Sequence, residues 1–141
     1  NTLFGISRVG GVFVSILSGF LTDRYGYRIM IMLSLFSAGL STIGLSIAST
    51  LWLILITLIL QATLSIAYYP AGLAAISKLT PFSERSMATG VILSIGTIFG
   101  MGATPFLLGV AGDHLSFRFG MLCLGSLTTL SSLMVRFLEE K

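Results

Sequence analysis

Five runs of about 20 mostly apolar residues, parted by short polar breaks, leave this chain few ways to fold. They cover about 3–21, 29–48, 52–78, 87–110 and 117–138. A helix of such length crosses the roughly 30 Å hydrocarbon layer of a bilayer. The runs must be helices, because lipid offers no partner for the open backbone of a strand and none of them alternates strictly between apolar and polar residues. Composition agrees: the 141 residues are 55% hydrophobic and 9% charged, with a mean hydropathy of +1.00, whereas a soluble domain of this size needs a more polar surface. The expected fold is an all-α membrane protein, a multi-pass helical bundle forming one domain over residues 1–141. None of the breaks is long enough to link separately folded units.

Several function classes drop out on the same grounds. Cys123 is the single cysteine and lies in an apolar run, so an internal disulfide is excluded and packing is its expected role. The net charge of +3 is spread singly between apolar segments, which speaks against nucleic acid as a partner. The spans hold no paired carboxylates, histidine cluster, HExxH or nucleophile with a base. No catalytic residue, metal ligand or cofactor site is therefore expected, and the chain reads as a non-enzyme. No basic leader precedes the first span and the chain starts at Asn1, which reads as a fragment of a longer protein.

Orientation follows from lysine and arginine, which are retained on the cytoplasmic side. Arg24 and Arg28 fall in the first break, Lys78 and Arg85 in the third, and Arg136 and Lys141 at the end; Arg118 alone falls on the other side. The expected location is a plasma or bacterial inner membrane with a cytoplasmic C-terminus. Trp52 and the Asp113-His114 turn then lie outside, with the Trp52 indole at headgroup level. His114 is expected to be merely solvated.

The first inner break reads Gly19-Phe20-Leu21-Thr22-Asp23-Arg24-Tyr25-Gly26-Tyr27-Arg28. This G-x-L-x-D-R-x-G-x-R between two spans resembles the signature loop of the major facilitator superfamily. Gly19, Leu21, Asp23, Arg24, Gly26 and Arg28 fit the pattern, and Tyr27 stands where the family usually has another basic residue. The resemblance implies a half-domain of a twelve-helix transporter. It also implies that Asp23 latches one half-bundle to the other and is released when access changes. A carboxylate at a helix end, held by nearby arginines, suits such a latch, since it can accept donors from a facing helix N-terminus. Gly19 is expected to allow close helix approach and Gly26 a tight turn. The bland alternative is a short positive-inside loop with a solvated Asp-Arg pair.

The third break, Thr80-Pro81-Phe82-Ser83-Glu84-Arg85-Ser86, also resembles an inner loop of that family, with Arg85 before a helix start. Ser83 and Ser86 are candidate caps there, with Glu84 at the positive helix end; a gating role for Arg85 and a plain loop stand side by side. The run Pro105 to Asp113 is more similar to the end of the family's eleventh helix than to its fifth. The resemblance thus implies the C-terminal half, helices eight to twelve, with the missing N-terminal half of the same transporter as a partner beside lipid and a small-molecule substrate.

Polar residues at membrane depth are the place to seek substrate contacts, because hydrocarbon tolerates them only when buried or lining water. Arg8 lies about 20 Å before Leu21 at about 1.5 Å per residue, and a central arginine costs on the order of 3 kcal/mol on insertion scales. It is either an anion-attracting group in the transport cavity or a side chain that snorkels to the outer headgroups. In the third span Thr57, Gln61, Ser65, Tyr68 and Gly72 recur at helical spacing. Gln61, Ser65 and Tyr68 are the candidates for the substrate path, with helix-to-helix hydrogen bonding as the alternative. Pro70 removes a backbone donor beside them and is a candidate kink. Gly11, Ser15 and Gly19, and likewise Gly96 and Gly100, form small-residue faces expected to pack against other helices.

The sequence alone thus reads as part of an alternating-access secondary transporter for a small solute, with Arg8 slightly favouring an organic or inorganic anion and sugars and amphiphilic drugs left open. The other class left open is a structural or partner-binding membrane subunit.

Overall fold

The computed structural model describes the backbone of residues 2–137 and the side chains of residues 10–137. Every regular element among them is helical: α1 Thr2–Tyr25, α2 Tyr27–Ile47, α3 Leu51–Ile66, α4 Tyr68–Leu79, α5 Arg85–Thr97, α6 Thr104–His114 and α7 Phe117–Met134. Four stretches among the described residues are long and apolar enough to cross a membrane: Tyr27–Ile47, Leu51–Leu79, Phe82–His114 and Phe117–Phe137. Helix α1 has 24 residues, which is about 36 Å and so exceeds the roughly 30 Å hydrocarbon layer. The protein is an all-α multi-pass bundle.

Two spans depart from a simple helix, each next to a proline. In the third span the helix is interrupted at Ala67, three residues before Pro70. Pro70 cannot donate to the Ile66 carbonyl, and the Ala67 amide tightens onto the Leu64 carbonyl at 3.2 Å, one residue short of α-helical pairing. In the fourth span a π-helical turn, Ile98–Ala103, precedes Pro105. The Thr104 amide closes it on the Phe99 carbonyl, and the Thr104 hydroxyl donates to the same oxygen at 2.8 Å. The wider turn accommodates a proline ring that would press on the carbonyl four residues back.

Helix α2 is the centre of the bundle, with α7, α3, α4 and α1 around it. Its buried side, Tyr27, Met30, Ile31, Ser34, Ala38, Gly39 and Ser41, follows the helical period. The tightest contact is with α7, where Gly39 and Gly125 meet. A Cβ on Gly39 would lie 2.8 Å from the Thr129 amide nitrogen and 3.0 Å from the Gly125 carbonyl, and would also strike the Thr129 hydroxyl. A Cβ on Gly125 would lie 2.8 Å from the Ile43 amide nitrogen and 3.0 Å from the Gly39 carbonyl. Two backbones can approach this closely only where both side chains are absent. Around the start of α2, Tyr27, Met30, Ile31, Ala71, Ala75 and Val135 form the buried apolar cluster.

The fourth span stands apart. It is joined to its neighbours through the turn after α4 at one end and through the α6–α7 hairpin at the other. In that hairpin Leu108 and Ala111 close on Gly120, and the Ser116 hydroxyl caps α7 by accepting from the Phe119 amide at 3.1 Å. Between those ends, Gly96 and Gly100 have no described atom within 4 Å of an added Cβ. The expected packing of that small-residue face is absent among the described residues. Two further expectations are corrected. Helix α5 is preceded by Glu84 with no side-chain cap, so neither Ser83 nor Ser86 has the capping role. Cys123 is exposed rather than packed.

Replacing Gly39 or Gly125 by alanine in the 141-residue chain should lower stability by about 1–3 kcal/mol, because the obstructing atoms are backbone and cannot step aside. Gly109→Ala, where a Cβ meets nothing within 4 Å, should not lower it, since alanine is the better helix former by about 0.5–1 kcal/mol. Thermal unfolding in detergent reads both.

Candidate functional site

Helix α1 carries Asp23 and Arg24 in its last turn and ends at Tyr25, while α2 begins at Tyr27, so the connection is the single residue Gly26. Gly26 has φ 89° and ψ 151°, the one positive φ among the described residues. Only glycine adopts that combination without strain. The Gly26 amide still donates to the Thr22 carbonyl at 3.0 Å, which completes α1 before the reversal.

Asp23 is exposed and makes no hydrogen bond or ion pair among the described residues. The arginines expected to hold it are directed elsewhere. Arg24 lies over the Tyr25 ring at 5.7 Å, and Arg28 Nη2 donates to the Arg136 carbonyl, tying the start of α2 to the end of the last span. Arg85 donates from Nε to the Thr80 carbonyl at 3.2 Å and lies 5.6 Å from the centre of the Phe82 ring.

Tyr27, the departure from the signature pattern, is a core residue. It is 1% exposed, and Lys78 Nζ sits 5.6 Å from its ring centre. Sequence reading missed this role, although the spacing of Tyr27, Met30, Ile31 and Ser34 along one helix face would have signalled it. Gly19 is half-buried on α1, and a Cβ there would meet Pro70 Cβ at 4.0 Å, an ordinary contact.

The polar stripe of the third span divides into committed and uncommitted groups. The Thr57 hydroxyl donates to the Leu53 carbonyl at 2.7 Å and the Ser65 hydroxyl to the Gln61 carbonyl at 2.7 Å. Both are satisfied within their own helix. The half-buried Gln61 amide and the Tyr68 hydroxyl have no partner among the described residues. Tyr68 directly follows the break at Ala67. Its ring lies along Gly72, where a Cβ would be 3.5 Å from Cε1, and meets Tyr69 edge-on with centroids 6.3 Å apart. The side chain of Arg8 lies outside the described residues.

One polar contact that sequence reading did not anticipate joins these regions. The Ser18 hydroxyl donates to the Ala67 carbonyl at 2.7 Å, from α1 to the break in the third span. At the opposite end of the bundle Arg118 Nη2 donates to the Ala48 carbonyl at 3.3 Å, beside the C-terminus of α2.

The profile of the Major Facilitator Superfamily matches residues 1–141. The chain belongs to the Major Facilitator Superfamily. Among its relatives, it is 31% identical over 135 residues to the tetracycline resistance protein, class H, of Pasteurella multocida, an alignment covering 92% of this chain and 32% of that one. It is 26% identical over 127 residues to the uncharacterized MFS-type transporter YqjV of Bacillus subtilis (strain 168), covering 77% of this chain and 31% of the relative. The chain thus spans about a third of the length of these relatives. Membership in this superfamily supports membrane transport in general.

Gly26→Ala should cost of the order of 1–3 kcal/mol, because alanine at this φ and ψ is strained. Chemical or thermal unfolding of the purified protein checks it, with Gly90→Ala, where a Cβ meets nothing within 4 Å, as the comparison that should not destabilise.

Proposed function

We propose that this chain is part of an alternating-access secondary transporter that carries a small solute, with Asp23 serving as an inter-half latch and Gln61 and Tyr68 lining the solute path. The observation that carries the reading is the pair of uncommitted polar groups in the third span. Thr57 and Ser65 fold their hydroxyls back onto their own helix, which is the least demanding solution in hydrocarbon, whereas the Gln61 amide and the Tyr68 hydroxyl are left for another partner. Ser65 contributes less to the path for the same reason. Asp23 supports the latch in the same way, being exposed and uncommitted at the end of α1. Arg85 belongs to the same inner end, where its Nε donates to the Thr80 carbonyl.

The inner end is read as cytoplasmic. Arg24, Arg28, Lys78, Arg85 and Arg136 all belong to it, and lysine and arginine are held back on that side during insertion. The remaining partner is the rest of the transporter, the N-terminal half in this reading, around which the two half-bundles rock. Arg8, on α1, favours an anionic solute. The likeness to a tetracycline resistance protein supports a second reading, in which the solute is tetracycline itself.

The test uses the full-length parent in proteoliposomes, with labelled benzoate and phosphate as anion probes and tetracycline as the third. Asp23→Asn should slow turnover about tenfold, the scale of a coupling energy between two sites. Tyr68→Phe and Gln61→Ala should raise KM, and Arg8→Ala should abolish the preference for the anions. Unchanged rates in both Arg8→Ala and Asp23→Asn would refute the assigned roles, and transport of tetracycline alone would decide for the second reading.

A further inference from the structure

We infer that Ser18 is a positioning residue: its hydroxyl holds the Ala67 carbonyl at the break in the third span and thereby sets the direction in which Tyr68 faces the solute path. The inference rests on the reading of Tyr68 as a path residue.

Ser18 is 2% exposed, and its bond to the Ala67 carbonyl joins residues 49 apart in sequence. Serine and threonine in a membrane helix ordinarily donate to a carbonyl three or four residues back in the same helix. Thr22, Ser34, Ser41, Thr42, Thr57 and Ser65 all do so here. Among the described serine and threonine donors, Ser18 is the one whose bond crosses to another span.

The acceptor is as telling as the donor. The Ala67 carbonyl belongs to the peptide group whose nitrogen is that of Tyr68, so fixing its direction fixes the plane from which the Tyr68 side chain departs. The peptide plane just before it, Ile66–Ala67, has lost its ordinary helical pairing. Pro70 denies the Ile66 carbonyl its donor, and the Ala67 amide has slipped to the Leu64 carbonyl. Helix α1 braces both sides of the break: Gly11 faces the end of the Ile66 side chain, and Gly19 faces Pro70. One turn after Ser18 and Gly19 the same helix carries Asp23, so the element that holds the Ala67 carbonyl also bears the latch residue.

The experiment uses the full-length transporter freed of its cysteines, including Cys123→Ser, with one reporter at a time: Tyr68→Cys after the break or Gln61→Cys before it. The probe is MTSET, a membrane-impermeant cationic thiol reagent. Ser18→Ala should raise the reaction rate at the Tyr68→Cys reporter about threefold, the scale of one hydrogen bond between membrane helices. The Gln61→Cys reporter should be unmoved, and Ser18→Thr, which keeps the hydroxyl, should restore the original rate. A Tyr68→Cys rate indifferent to Ser18→Ala, an equal change at both reporters, or a threonine variant that behaves like alanine would overturn the positioning role while leaving the path reading intact. A Tyr68→Cys reporter that never reacts from the aqueous side with Ser18 in place would overturn the path reading and this inference together.

Discussion

In hydrocarbon a backbone amide or carbonyl without a partner costs several kcal/mol, and the architecture of this chain is a response to that cost. The spans are helical because a helix pairs its own backbone. Hydroxyl groups within them return to the same ladder, as Thr42, Thr128 and Ser131 do at 2.8 Å. Among the described residues no buried side-chain nitrogen or oxygen lacks a partner. The two prolines that interrupt the ladder are the places where other groups step in: Ser18 reaches across from α1 to the carbonyl beside the Pro70 break, and Thr104 doubles its donors onto the Phe99 carbonyl before Pro105. The irregular points are therefore where spans become mechanically distinct from plain rods.

Helices in lipid gain little from hydrophobicity when they meet, so close approach decides which of them associate. The Gly39–Gly125 crossing joins α2 and α7 backbone to backbone, and Gly11 and Gly19 bring α1 against the two pieces of the third span. Four spans form one packed group by this means. Among the described residues the fourth span lacks an equivalent contact along its length and is attached mainly at its two ends. An element held only at its ends keeps its middle available to move or to meet another surface, and the π turn lies in that middle.

What the sequence made legible was whatever depends on one element at a time. Helical class and the demand for glycine at position 26 are local properties, and each stands in the structure, down to the positive φ of Gly26. The family itself was readable from six positions of a ten-residue loop. Pairings were not. Nothing in the periodicity distinguishes Gly39 and Gly125, which touch, from Gly96 and Gly100, which do not, because all four are glycines on apolar helices. Ser18 was hidden for the same reason: its acceptor is a backbone carbonyl 49 residues away, and every residue has a carbonyl. Tyr27 was judged against a family pattern as a missing charge, whereas its helix face marked it as core.

The charges at the helix ends carry the argument one step further. A helix C-terminus holds roughly half a negative charge, so a cation there is stabilised and a carboxylate disfavoured by about 0.3–1 kcal/mol. Arg118 follows the rule, donating to the Ala48 carbonyl just past the end of α2. Asp23 opposes it, lying in the last turn of α1 with no ion pair among the described residues. The nearby cations are settled on other groups: Arg24 over Tyr25, Lys78 over Tyr27 and Arg85 over Phe82, with Arg28 on the Arg136 carbonyl. An acid kept where its own helix repels it, among bases that do not neutralise it, gains most from a donor brought by another part of the protein. In the latch proposed above, release would be easy, because Asp23 would return to water and the bases would keep the partners they already have.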